Sequence, residues 1–170
     1  MSKEQRLEEF VRLSPAGGHK DARRSIMDVP VGYLHGRNIS VANMIDVADQ
    51  SIGLPLRQHF HLNYGEVFVL GRGNGELYVR AVAPGEKNAI KPEIVVAQDI
   101  PIGYEQGLEG VSTKLSLDWQ DPQKRIVRVT PGIAHTFVLS PGSLLIPFLV
   151  DAPTGFNPHD SKNYVPFPLV

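Results

Sequence analysis

At 170 residues, with no cysteine and a formal net charge of -1, the chain has room for one well-buried core and no means of disulfide or thiolate chemistry. Its scattered Lys and Arg make no basic patch for nucleic acid and no polybasic run for anionic lipid, and sulfur-ligated zinc and iron–sulfur centres are excluded, so any metal must be held by nitrogen and oxygen. No apolar run is long enough to span a bilayer and the start, Met1-Ser2-Lys3-Glu4-Gln5, is charged, so the expectation is a cytoplasmic protein whose partner is a small molecule rather than nucleic acid or a membrane.

In chain order, the first predicted element is a helix. Ser2 with Gln5 three residues on forms a capping-box pattern, and Leu7, Phe10 and Val11 repeat at helical spacing until Pro15-Ala16-Gly17-Gly18 breaks the run. From about Val29 onward, β-rich segments alternate with clusters of Gly, Pro, Asn and Asp. They are Ile39 to Val47, Glu66 to Leu70, Glu76 to Val82, Ile94 to Val96, Ile126 to Val129, Thr136 to Leu139 and Leu144 to Val150. Many short strands at close spacing make the fold class all-β, a sandwich or barrel with a short N-terminal helix. The stretch Ala83 to Asp121 is the least regular and reads as an insertion of the kind that closes over a pocket. One domain over 1–170 is expected: 1–28 a helix and arm, 29–150 the barrel, and 151–170 a proline-rich C-terminal arm laid over a surface. Gly71-Arg72-Gly73-Asn74-Gly75 lies between two strands rather than before a helix, so it reads as a hairpin turn and not a phosphate loop.

The chemistry concentrates in His59, His61, Glu66 and His135. Side chains two apart on a strand share a face, so His59 and His61 aim at one point. Leu62-Asn63-Tyr64-Gly65 contains turn-prone residues, and a tight reversal could return Glu66 to the same face. Imidazoles with one carboxylate suit a divalent transition metal: iron, manganese, zinc or nickel. The alternative, a metal-free polar pocket, is disfavoured because the neighbours are apolar and an uncompensated buried Glu66 would be costly. By the same parity Arg57, Phe68 and Leu70 face inward. Arg57 would pair with a carboxylate or bind an anionic substrate group, and Phe68 would form a substrate-binding wall. Glu76, Tyr78 and Arg80 share one face of the next strand and Leu77 and Val79 the other; if the polar face lines the barrel, Tyr78 is a substrate-binding residue and candidate proton donor. Trp119 reads equally as a lid anchor or a stacking surface, and His19, His35 and His159 as exposed or structural.

Gly53, His59, His61, Glu66 and Gly73 match every fixed position of the first cupin motif, G(x)5HxH(x)3-4E(x)6G. Pro131-Gly132-Ile133-Ala134-His135 keeps the GxxH core of the second, with the Pro one place late and Leu139 where that motif ends in Asn. Over roughly residues 50 to 150 the chain therefore resembles the cupin superfamily, and the resemblance implies a double-stranded β-helix, or jelly-roll barrel, with one metal inside. The run Val129 to Leu139 is also similar to the PPGxAHxFxxL segment of cupins that epimerise or isomerise nucleotide-linked deoxyhexoses, and Gly155 to Asp160 resembles the ends of some of them. Those relatives generally work without metal and lack the full set of three histidines and a glutamate. His135 is accordingly assigned to the metal, and no catalytic residue is carried across. The resulting expectation is a metal-dependent enzyme that isomerises or epimerises a small sugar- or keto-acid-type substrate. An iron(II) dioxygenase and a non-catalytic ligand-binding module are the alternatives. Exposed strand edges need covering, which makes a homodimer the expected assembly.

Overall fold

A computed structural model describes residues 2–8, 11–14, 17–20, 25–28, 39–48, 53–61, 64–82, 110–150 and 165–170. Helix α1 spans Lys3–Glu8. Both bonds of its capping box are made: Ser2 N donates to Gln5 Oε1 at 2.8 Å and Gln5 N donates to Ser2 Oγ at 3.2 Å. The helix is shorter than its apolar spacing predicts, because Val11–Ser14 leaves it as strand β1 and pairs with a sheet. Leu7 and Val11 still meet in the core, but from two different elements.

Strands β2 (Gly17–Lys20) and β3 (Ser25–Asp28) form a two-stranded hairpin. The remaining strands, in chain order, are β4 (Ile39–Ala42), β5 (Ile45–Asp46), β6 (His59–Phe60), β7 (Gly65–Arg72), β8 (Asn74–Ala81), β9 (Ser112–Asp118), β10 (Ile126–Val129), β11 (Ile133–Leu139), β12 (Leu144–Val150) and β13 (Val165–Pro166). They build two antiparallel sheets: six strands in the order β1-β10-β7-β12-β4, with β5 also on β12, and five in the order β13-β6-β11-β8-β9. Among the described residues no helix is long and apolar enough to cross a membrane.

The core lies between the sheets. Period-two alternation sends Phe68 and Leu70 of β7 and Leu145 of β12 inward from one sheet, and Leu77 and Val79 of β8 and Phe137 of β11 inward from the other. Each such side chain, fully removed from water, contributes about 1.5–3 kcal/mol. The alternate residues of β7, Val67 and Val69, pack with Ile126 and Val150 on the outer face. Strand β7 is therefore buried on both faces, which is why it reads as a continuous apolar run.

Three expectations need correction. The Gly71 to Gly75 segment is not a hairpin: β7 and β8 belong to different sheets, and the turn at Gly73 carries the chain from one to the other. Part of the stretch read as irregular, Ser112–Asp118, is a regular strand paired over its whole length with β8; Ile94 to Val96 lies outside the described residues. The single predicted strand Ile39 to Val47 is split at Asn43 and Met44. Opposite the split stands Pro147, whose carbonyl accepts Asn43 N at 2.9 Å. In an antiparallel ladder a residue's N–H points the same way as its C=O, so the donor that proline lacks is missing on the side of β4 and β5, and pairing is interrupted there. Of the two faces of β8 left open by the sequence, Leu77 and Val79 face into the core while Glu76, Tyr78 and Arg80 face away from it.

Candidate metal centre

His59 on β6 and His135 on β11 are directly opposed partners in the five-stranded sheet, which brings their rings to 4.5 Å between centroids. His61 follows β6 immediately, and its carbonyl accepts Gly132 N at 2.8 Å. The Pro131-Gly132 turn, with Gly132 at φ 78°, is thus pinned to the first histidine pair, and β11 starts in a register that presents His135. Glu66 comes from β7 in the facing sheet. β6 and β7 thus stand in different sheets, not in the reversal within one sheet that the sequence suggests.

The four residues converge. One donor atom from each lies within 4.8 Å of every other. His59 Nε2 stands 2.8 Å from His61 Nε2, and Glu66 Oε2 stands 3.0 Å from His61 Nε2 and 2.9 Å from His135 Nε2. The ring orientations are fixed from behind: His59 Nδ1 donates to the Arg57 carbonyl at 2.9 Å and His135 Nδ1 to the Ile133 carbonyl at 3.1 Å. That tautomer leaves both Nε2 lone pairs aimed at the centre, the usual arrangement of metal-ligating imidazoles.

Burial raises the stakes of this arrangement. Glu66 and His135 are 6% and 1% exposed, and Glu66 Oε2 and His135 Nε2, although at ion-pair distance, are not aligned for a hydrogen bond and have no hydrogen-bond partner. Burial, reinforced by the neighbouring His135 and His61, pushes the His59 pKa down to about 2, so this imidazole is a neutral donor. Burial opposes ionisation of Glu66, but the His61 and His135 rings outweigh it and hold the carboxyl below its ordinary range. The donor set fits a divalent transition ion. Bonds of about 2.1 Å at right angles put adjacent donors about 3.0 Å apart, which is the spacing found between the contacting pairs. One cation would satisfy the orphaned oxygen and nitrogen together.

A cavity of about 500 Å³ opens onto these donors. Arg57 and Phe68 line it, as parity predicts. Tyr78 does not: its hydroxyl donates to Glu76 on the outer face, where Lys114 also bonds Glu76 at 2.6 Å, so it stands away from the four donors and is neither a substrate-binding residue nor a proton donor there. Trp119 packs against the core and donates its backbone N–H to Gly73 rather than lining the cavity. Nothing is described of the side chain of His19, and His35 and His159 lie outside the described residues.

One wall residue was missed by the sequence reading. Tyr64 is 2% exposed, its ring lies 4.1 Å from that of His61 at 32°, and its hydroxyl is 3.5 Å from His61 Nε2. It was read only as part of a turn, and its signal is its position two residues before Glu66, the parity that points it the same way. Asn43 and Met44, at the break opposite Pro147, also reach the cavity.

No protein-family profile matches the chain, and no curated protein matches it either. Solved structures do. A dTDP sugar isomerase from Desulfovibrio desulfuricans G20 superposes with a TM-score of 0.64 at 12% identity, covering 95% of this chain and 85% of that one. The RmlC epimerase of Mycobacterium tuberculosis gives 0.57 at 16%, covering 91% and 66%, and the QdtA 3,4-ketoisomerase of Thermoanaerobacterium thermosaccharolyticum, in complex with TDP, gives 0.57 at 14%, covering 91% and 86%. At such identities the likeness is one of fold: the chain has the cupin architecture of these proteins.

Proposed function

We propose that this protein is a metal-dependent cupin enzyme that isomerises or epimerises a small sugar- or keto-acid-type substrate. The observation that carries the reading is the buried convergence of His59, His61, Glu66 and His135 at a cavity, with Glu66 Oε2 and His135 Nε2 left without hydrogen bonds. A structural site closes its coordination with protein donors, whereas these four open onto a cavity with room for a ligand. A divalent ion in that position supplies a Lewis acid toward a carbonyl oxygen. The chain's own contribution is positional. Arg57 O and Ile133 O hold the imidazoles in one tautomer, the Phe68 and Phe137 rings, 4.6 Å apart, limit water beside His135, and the Tyr64 hydroxyl offers a hydrogen bond to a substrate oxygen next to His61. The fold likeness to sugar isomerases and epimerases supports the reaction class.

Isomerisation and epimerisation next to a carbonyl both begin by removing a proton from carbon, so metal-replete protein in deuterated water should wash deuterium into the carbon adjacent to the carbonyl of a substrate, read by proton NMR. Purified protein that folds normally yet holds no transition metal would overturn the proposal. Oxygen consumption by iron-loaded protein, without exchange, would move the assignment to a dioxygenase, and saturable binding without turnover would move it to a binding module.

A further inference from the structure

Resting on that reading of the centre, we infer that the cavity takes a compact carboxylate with an apolar body, of the branched-chain or aryl 2-oxo acid class, rather than a nucleotide-linked sugar. The cavity is lopsided. Beside His61 stands the Tyr64 hydroxyl, whereas beside His135 stand aromatic rings, Phe68 at 5.5 Å and Phe137 at 6.4 Å between centroids. Of the eleven described lining residues outside the four donors, only Asn43, Arg57 and Tyr64 are polar; the other eight, including Leu56, Leu145 and Leu149, are apolar. Arg57 is the one lining cation among the described residues and is exposed, a position suited to meeting one carboxylate from solvent. A hexose brings several hydroxyls, each needing a partner once buried, and a nucleotide adds a pyrophosphate that calls for more than one cation. A branched or aryl acid instead places oxygen toward His61, Tyr64 and the four donors, and carbon against Phe68, Phe137 and the leucines. Cavity size alone does not discriminate; the distribution of polarity among the described lining residues does.

The test is calorimetric titration of the zinc-loaded full chain with 4-methyl-2-oxopentanoate, phenylpyruvate, pyruvate and thymidine diphosphate, alongside elemental analysis of the same sample. Each buried methylene is worth about fourfold in affinity, so either larger oxo acid should bind at least about tenfold tighter than pyruvate and tighter than thymidine diphosphate. Arg57→Ala, an exposed change that leaves the core intact, should weaken the oxo acids about tenfold. Tightest binding by thymidine diphosphate, equal binding of pyruvate and its larger analogues, or no binding of any oxo acid by metal-loaded protein would each overturn the inference while leaving the metal centre standing. A folded protein that takes up no zinc would instead remove the proposed function on which it rests.

Discussion

His59 shows how much a single residue does at this centre. Its ring is oriented by Arg57 O, faces His61 at 2.8 Å, and is opposed by His135 across the sheet. Changing His59 and His61 together to alanine should reduce metal content from about one ion per chain to near zero by elemental analysis, with strand content by circular dichroism unchanged. Tyr64→Phe should retain the metal, because the hydroxyl lies outside the four-donor set, but weaken substrate binding by the loss of one hydrogen bond, about fivefold for a net value near 1 kcal/mol. Acid should act on the metal-free protein through the same residues. Unfolded histidine takes up a proton near 6.5 and unfolded glutamate near 4.5, whereas in the fold His59 stays neutral to about 2 and Glu66 stays ionised below its ordinary range. Through these two groups the unfolded state binds more protons from about pH 6.5 down to about 2, so their contribution to stability falls as pH drops through 6.5 and falls further through 4.5. Thermal melts of chelator-treated protein from pH 8 to 4 should show that decline, and His59→Ala should soften its onset; a melting temperature that rose on acidification would contradict it.

At the scale of elements, the sheets were legible wherever burial imposed alternation. Strands over Ile126–Val129 and Leu144–Val150 stand where the sequence put them, and β7, β8 and β11 differ from their predicted ends by a few residues. What local pattern could not convey is which strands pair. A glycine turn between two strands reads as a hairpin, but the turn at Gly73 links facing sheets, and its tightness depends on Ser143, 70 residues away in sequence. Gly73 has φ 90°, and a Cβ there would clash with Ser143 Oγ, itself buried and held by Ser140 Oγ at 3.0 Å. Gly142, with φ 71°, has open space around a Cβ. Gly73→Ala should accordingly cost about 2–4 kcal/mol in urea unfolding, combining backbone strain and a clash with a fixed neighbour, and Gly142→Ala only about 1 kcal/mol from backbone strain alone. Similar costs at both positions would refute the packing argument.

For the whole molecule, because the four donors come from both sheets, a metal held there as proposed would be a cross-link between them. Stripping it with a chelator should lower the melting temperature, since an ion that binds only the folded state at 100 times its dissociation constant stabilises by about 2.7 kcal/mol, and re-addition should restore it. An unchanged melting temperature would show that the four residues hold no ion. A homodimer remains our proposal on the ground that open sheet edges need cover, and sedimentation at micromolar concentration is its direct check.

By itself the sequence determined which four residues form the donor cluster, the all-β class and the inward parity of Arg57 and Phe68, because residue type and period-two alternation are local properties that any strand expresses. Only the tertiary structure decided that Glu66 reaches the histidines from the opposite sheet, that Tyr78 faces outward and Tyr64 inward, and that Pro147 splits the strand at the cavity's lip. Those outcomes depend on which strand lies across from which, and that pairing is set by contacts between residues far apart along the chain.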